Sequence, residues 1–400
     1  MNSSKSNNTV SARVKLGLLY AASQSLYWIE ISLVIGFSVV FMSHIGVSNS
    51  AIGLALAFSN LLCVFVSLLL AQMSDRRGVF AEISCISKCL LCELLLLSTL
   101  LILKLPPQAT CLLYSLVIAS ILSVGPLYSR LYLNLNGLVL LRPFGHYRLL
   151  GSFCFAAMSF ISGSLLRWVP LTIILIVAAV CAGLRLLMIL TFKRQQVLFP
   201  VGEHPSAVQR DDIRDYWLFL REQRYFIALL LGIAIILSIN SNIASFSAKI
   251  VDHLGGTPTT LGYLNGFVAL VEVPAMYIYG TVKRKDVSVC LIIAFVFFAM
   301  KFFFCSAVRS IPMLFFAFSL QSVSYGLYIP AVVDHVRIRI ATEHTGKALA
   351  LLDSVPKVFT IAISPIMGNM LDRYSVPFVV LMFAFFSLFG VISATLSLQQ

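Results

Sequence analysis

Charge is what this sequence has least of. Asp, Glu, Lys and Arg make up 11 % of its 400 residues, where an ordinary globular chain carries about 25 %. Hydrophobic residues make up 59 %, and the mean hydropathy is +0.95. So few charged groups cannot cover one or more soluble domains, which leaves lipid as the solvent for most of the surface. A soluble enzyme, a nucleic-acid binder and a secreted disulfide scaffold are set aside on this ground. Clustered site chemistry is scarce too. Cys85, Cys89 and Cys92 share one helical face, but no His or second thiolate cluster accompanies them. Packing as small buried hydrophobes is therefore preferred to a metal or redox site. The six histidines lie mostly at loops and span ends, so the clustered set that an intramembrane enzyme needs is missing. No GxxxxGK[ST] loop occurs, which argues against an ATP-driven pump. No cofactor, metal or nucleic acid is expected.

What is present is a series of long apolar runs. A spanning helix needs about 20 apolar residues, and breaking the chain at its polar clusters gives twelve such segments. They fall near 16–43, 50–73, 82–103, 109–135, 143–166, 168–192, 222–249, 257–280, 286–307, 309–333, 345–370 and 375–397. The runs are continuous rather than alternating, so they read as helices and not as barrel strands. The run after the polar residues 1–15 is too long for a signal-peptide core and is read as a retained first helix.

The longest polar stretch follows the sixth span. It divides the chain into a six-helix half at 1–192, a linker at 193–221 with mixed charges, and a second six-helix half at 222–400. The formal charge of +13 is at first sight a clue to a polyanion. Its distribution says otherwise: 19 of the 29 Lys and Arg fall in loops on the side of the N-terminus, and 5 on the opposite side. That asymmetry predicts a multi-pass protein of the cell membrane with both termini cytoplasmic.

The halves resemble repeats. The second and eighth spans each end in a short basic turn, SDRRG at 74–78 and GTVKRK at 280–285. The fifth and eleventh begin with FGHYRLLGS (144–152) and TGKALALLDS (345–354), offset by about 200 residues. With these strings in view, the chain resembles the major facilitator superfamily of secondary transporters over essentially its whole length. Asp75, Arg76, Arg77 and Gly78 match that superfamily's loop signature, with Ala71 where a glycine is usual. FGHYRLLGS, GNMLDRY at 368–374 and GVSNSAIGLALA at 46–57 are similar to the branch holding lactose permease and the nucleoside and phenylpropionate proton symporters. The resemblance implies an all-α polytopic membrane protein of twelve transmembrane helices in two six-helix pseudo-repeat bundles. It implies that the first, fourth, seventh and tenth helices line a cavity opened alternately to each side. The turn from Asp75 to Gly78 would then be a conformational latch; the plain alternative is a basic cytoplasmic turn.

An ionisable residue deep in a span is costly and points to function. Glu30 lies mid-span, and Tyr20, Ser23, Gln24, Tyr27 and Glu30 share one helical arc of about 120°. That stripe reads as substrate or proton binding, against a hydrogen bond that only joins helices. Glu272 lies beside Pro274, which frees a nearby carbonyl. Asp353 and Lys357 are spaced to pair on one face, as a static strut or as an exchangeable couple. Glu30, Glu272, Asp353 and Lys357 are the candidates for proton coupling. Arg148 matches the fifth-helix arginine that holds sugar hydroxyls in lactose permease; a headgroup anchor is its plain alternative. Where that protein has a carboxylate on its fourth helix, this chain has Arg130, and two cations there would favour an anionic substrate. Tyr20, Gln24, Tyr27, Arg130, Asn134, Arg148 and Asn240 form the expected substrate-binding set. Lys88, Glu93, Arg185 and Lys301 fall on spans the resemblance places away from the cavity, and are expected to snorkel or to pair locally. The expected function is proton symport of a small organic solute by a monomer in the lipid bilayer. A proton-driven efflux antiporter of drugs or metabolites is the alternative.

Overall fold

The computed structural model describes residues 2–75, 79–135, 144–195, 219–221, 223–282, 286–341 and 344–398. Among them there is no strand. Among the described residues eleven helical segments are long and apolar enough to cross a bilayer, and the helix Phe144–Leu165 adds a shorter apolar stretch, Leu149–Leu165, where the fifth of twelve spans is expected. The chain is an all-α polytopic membrane protein. Large apolar side chains such as Leu69, Leu187 and Phe389 stand exposed, as lipid-facing positions should.

By internal contacts the chain divides into two compact units. One comprises Met1–Gly36 and Phe58–Val208, the other Phe37–Ala57 and Gln209–Gln400. In the first unit, α1 (Asn2–Glu30) runs into a π-helical segment, Ile31–Ile35. It is followed by most of α3 (Asn49–Asp75), by α4 (Val79–Ile102) and by α5 (Pro107–Leu135). The helices α6 (Phe144–Leu165) and α7 (Ile173–Gln195) complete it. Here α4 packs on α5 and α7, while α1 packs on α6 and α7.

The second unit takes α2 (Ser38–His44) and the start of α3. Its seventh span is α8 (Arg224–Ser245), which breaks at Phe246 into the short α9 (Ser247–His253). Next come α10 (Pro258–Thr281) and α11 (Val287–Ala307). The tenth span breaks at Leu320 into α12 (Ile311–Ser319) and α13 (Gln321–Arg339). The last two spans are α14 (Thr345–Arg373) and α15 (Val376–Leu398). Within this unit α15 packs on α8 and α11, α11 on α13, and α14 on α8.

Irregularities gather on particular spans. The first, seventh and tenth are broken, and internal prolines sit in α5 (Pro126), α10 (Pro274), α13 (Pro330) and α14 (Pro356 and Pro365). Each such proline removes an intrahelical donor and leaves a carbonyl for another partner. Neither α4, α7 nor α11 has an internal proline.

Two of the sequence strings singled out above meet inside the second unit. The Asp372 carboxylate, from GNMLDRY, accepts the backbone N–H of Asn49 at 3.0 Å and of Ser50 at 2.7 Å, and also the Ser50 hydroxyl. These are the orphan donors at the start of α3, and a negative charge suits that end of the helix. Gly53 and Gly368 let the two helices approach, since a Cβ on Gly53 would meet the Ser364 carbonyl and one on Gly368 the Asn49 carbonyl. Asp372→Ala is expected to cost about 1 kcal/mol, the usual worth of a helix cap. The signature is faster hydrogen exchange at the Asn49 and Ser50 amides, with exchange in α7 unchanged.

Candidate functional site: buried polar networks

In the first unit the stripe on α1 is buried, and Tyr20, Ser23 and Glu30 of it are engaged by other helices. Tyr128 of α5 is its hub. Tyr20 donates its hydroxyl to the Tyr128 carbonyl at 3.1 Å, and the Ser23 and Tyr128 hydroxyls lie 2.6 Å apart. The partner that sequence spacing does not reveal is Arg185, from α7. Its Nε donates to the Tyr128 hydroxyl at 3.3 Å and its Nη1 to Glu30 Oε2. The guanidinium carbon lies 5.1 Å from the Tyr27 ring centroid and 5.4 Å from that of Tyr128, the geometry of a cation on aromatic faces. Gly125 makes room for this arrangement, because a Cβ there would stand 2.5 Å from the Tyr27 hydroxyl.

Glu93 of α4 completes the cluster. Its Oε2 lies 3.9 Å from Arg185 Nη1, and Glu30, Glu93 and Arg185 all have side chains 0 % exposed. The expectation that Glu93 and Arg185 snorkel or pair locally is therefore corrected. Both are fully buried, and Arg185 pairs across 155 residues of chain. A guanidinium midway along α7 would be very costly alone, and Glu30 offsets that cost on the spot. Lys88 is exposed, as snorkelling requires.

Directly after Glu30 the helix widens into its π turn, which alters the backbone hydrogen-bond register. The Val34 carbonyl in that turn accepts the Tyr114 hydroxyl at 2.7 Å, and Ser32 meets Ser159 at 2.7 Å. Gln24 is buried, and its Oε1 has no hydrogen-bond partner.

Arg130 lies elsewhere in the unit and brings its own counter-ion. Its Nε is 2.9 Å from Oε1 of the fully buried Glu82 on α4. Arg130 thus has a carboxylate partner, supplied from the third span rather than the fourth. The side chains of Arg148, Asn134 and Asp75 lie outside the described residues, as do Arg76, Arg77 and Gly78 entirely.

The second unit holds a comparable chain of polar groups on its own spans. Lys301 of α11, only 1 % exposed, donates to Asn240 Oδ1 at 2.7 Å and to Gln321 Oε1 at 2.5 Å. The Gln321 amide donates in turn to Glu272 Oε1 at 3.0 Å. Asn240, Lys301, Gln321 and Glu272 thus join four helices, and snorkelling is corrected for Lys301 as well. The Phe318 ring centroid lies 4.8 Å from its ammonium. Asp353 and Lys357 pair at 2.6 Å on α14 with side chains 73 % and 45 % exposed, so their ion pair is open rather than buried. Other polar groups of this unit are also engaged. Asn242 donates to the Ser238 carbonyl at 2.9 Å, and Tyr279 donates to Asp334 at 2.8 Å.

Each network therefore puts a carboxylate and a cation, joined by neutral hydrogen-bonding groups, at the middle of spanning helices. Such a set can hold or exchange a proton or a polar solute without exposing charge to lipid. Among the described residues no group of three His, Cys, Asp or Glu side chains is placed to hold a metal.

Comparison with known proteins agrees with this architecture. Similar solved structures include a variant of the nucleoside transporter NupG, with TM-score 0.79 and 13 % identity over 96 % of this chain and 100 % of that one. An auto-inhibited POT family peptide transporter has TM-score 0.73 and 10 % identity over 96 % and 97 %. A bacterial homologue of the human lysosomal transporter Spinster, inward-facing and unoccupied, has TM-score 0.70 and 12 % identity over 97 % of each chain. At such identities the likeness is one of fold. No curated protein matches the sequence. The family described as "MFS_1 like" matches residues 20–360. The chain belongs to that family, within the major facilitator superfamily of secondary transporters.

Proposed function

We propose that this secondary transporter is a proton-coupled symporter of a small polar organic solute. It works as a monomer in the cell membrane, with both termini cytoplasmic. Two halves, 1–192 and 222–400, joined by the linker 193–221, alternate the access of a central site, and the turn from Asp75 to Gly78 acts as their latch. The observation that carries the reading is the pair of buried networks, Glu30 with Arg185 in the first unit and Glu272 through Gln321 to Lys301 in the second. A transporter needs its coupling carboxylates inside the protein and in touch with groups that substrate can also reach. Asn240, on the seventh span, belongs to the second network, and Gln24 is a buried polar residue of the first span. With Tyr20, Tyr27, Arg130, Asn134 and Arg148 they are the proposed substrate contacts. Asp353 and Lys357 form an exposed pair that either a solute or a proton can separate.

The test is uptake into energised membrane vesicles, using sugars, nucleosides, aromatic acids and short peptides as the solute panel. Concentrative uptake of one class should vanish when a protonophore dissipates the proton gradient. Adding that solute to de-energised vesicles should make the medium more alkaline as protons follow it inward. Uptake that persists without the gradient would show that protons do not drive it, and acidification of the medium would assign the efflux antiport instead.

A further inference from the structure

We infer that Glu93 holds the exchangeable proton of the first unit, with Arg185 as the cation that takes over its charge when the proton leaves. The coupling role rests on the symport reading above; the proton itself does not.

The argument starts from counting charge. Glu30, Glu93 and Arg185 are each completely buried, and fully ionised they would leave one net negative charge inside the protein. A buried charge persists only where hydrogen bonds and a counter-ion compensate it. Glu30 meets that condition, since Arg185 donates directly to its Oε2. Glu93 does not: neither of its oxygens has a hydrogen-bond partner, and Arg185 Nη1 stays 3.9 Å away. As an anion it would lack the compensation that Glu30 has; as a neutral acid it is tolerable.

The neighbours leave no other source of positive charge. The helices α5 and α7 pack on α4. Toward Glu93, α5 presents Tyr128, while α7 presents Cys181 and Arg185. On its own helix Cys89 lies one turn away, and α1 brings Glu30 through Arg185. Arg185 is the sole cation among these described groups.

The same geometry supplies a release step. Arg185 Nη2 is buried without a partner, as is Glu30 Oε1, so the guanidinium whose Nη1 faces both carboxylates keeps an unused donor. A rotation of Arg185 toward Glu93 gives an ionised Glu93 the donors it lacks. The Glu93 O–H bond then breaks, its electron pair stays on the carboxylate, and the proton passes to water on the open side. Protonation reverses the step and returns Arg185 to Glu30 alone. The π turn that begins one residue after Glu30 lets α1 change its local register as the pairing changes.

The experiment reads the proton directly, without a solute. Infrared spectra of the purified full chain in liposomes at neutral pH should contain the C=O stretch of a buried protonated carboxyl. Glu93→Gln removes that component. So does Glu30→Gln, because Arg185 is then free to neutralise an ionised Glu93, whereas a merely structural Glu93 would not respond to a change at residue 30. Glu93→Asp should retain it, and serves if the glutamine variant does not elute as a monodisperse protein. A wild-type spectrum without this component, or one unchanged in Glu93→Gln, overturns the assignment. In vesicles, Glu93→Gln should lose at least tenfold in gradient-driven accumulation of the transported panel solute while keeping solute–solute exchange. Wild-type-like accumulation overturns the coupling role. If wild type moves no panel solute, the symport reading falls and the infrared result still decides the proton.

Discussion

Arg185→Leu should be among the most damaging single substitutions in this protein, at about 3–5 kcal/mol, the cost of breaking a buried charge pair from one side. Arg185 is fully buried and donates to both Glu30 and the Tyr128 hydroxyl. Leucine fills part of its volume and none of its bonding, leaving two buried carboxylates with no cation between them. The loss should depend on those carboxylates. In a Glu30→Gln, Glu93→Gln background the same Arg185→Leu change should cost at least about 2 kcal/mol less, because no buried anion is left without its counter-ion. Thermal unfolding of the purified variants in one detergent checks both statements. Lys88→Leu is the control: Lys88 is an exposed cation on the same helix as Glu93, and its change should stay within about 0.5 kcal/mol. Equal losses with and without the carboxylates would mean that Arg185 acts by packing alone.

The spans were legible because a bilayer imposes a length and an apolarity that any twenty-residue window displays. The polar arc from Tyr20 to Glu30 was legible as a face, since helical spacing is local. What it faces was not. Arg185 lies 155 residues from Glu30, and no spacing rule connects them. The resemblance implies that the third, sixth and ninth spans lie away from the cavity, and that placement does not reveal that Glu93, Arg185 and Lys301 are buried. Their depth in the helices does point to it. Arg185 and Lys301 lie well inside their helices, too far from either end for an easy reach to water, and burial with a distant partner was the remaining solution. Glu82 is hidden from the sequence for the opposite reason. It sits at the edge of its span, where a charge is unremarkable, yet it is fully buried against Arg130.

Helix spacing was equally hidden, and it carries the second large effect. Gly232→Val is expected to cost more than the usual 1–3 kcal/mol or so of an overpacked core. A Cβ on Gly232 of α8 would stand 2.6 Å from the Gly390 carbonyl oxygen and 2.7 Å from the Ala394 backbone nitrogen on α15. Those are main-chain atoms of a spanning helix, so no side-chain rotation relieves the clash, and the helices must separate. The contact is reciprocal, since a Cβ on Gly390 would stand 2.9 Å from the Gly232 carbonyl oxygen. Separation also stretches the bond from the Ser393 hydroxyl to the Ala228 carbonyl, now 2.8 Å, one turn from each glycine. In a bilayer, close packing and such bonds are what hold helices together, because lipid removes the hydrophobic drive between them. Gly183 of α7 provides the contrast, since a Cβ there meets nothing within 4 Å. Gly183→Ala should be neutral or stabilising by about 0.5–1 kcal/mol, the ordinary gain from relieving helical glycine of its backbone freedom. Melting temperatures of the two variants should therefore fall on opposite sides of, or at and below, the wild-type value. A Gly232→Val protein as stable as Gly183→Ala would show that α8 and α15 are not held at glycine distance.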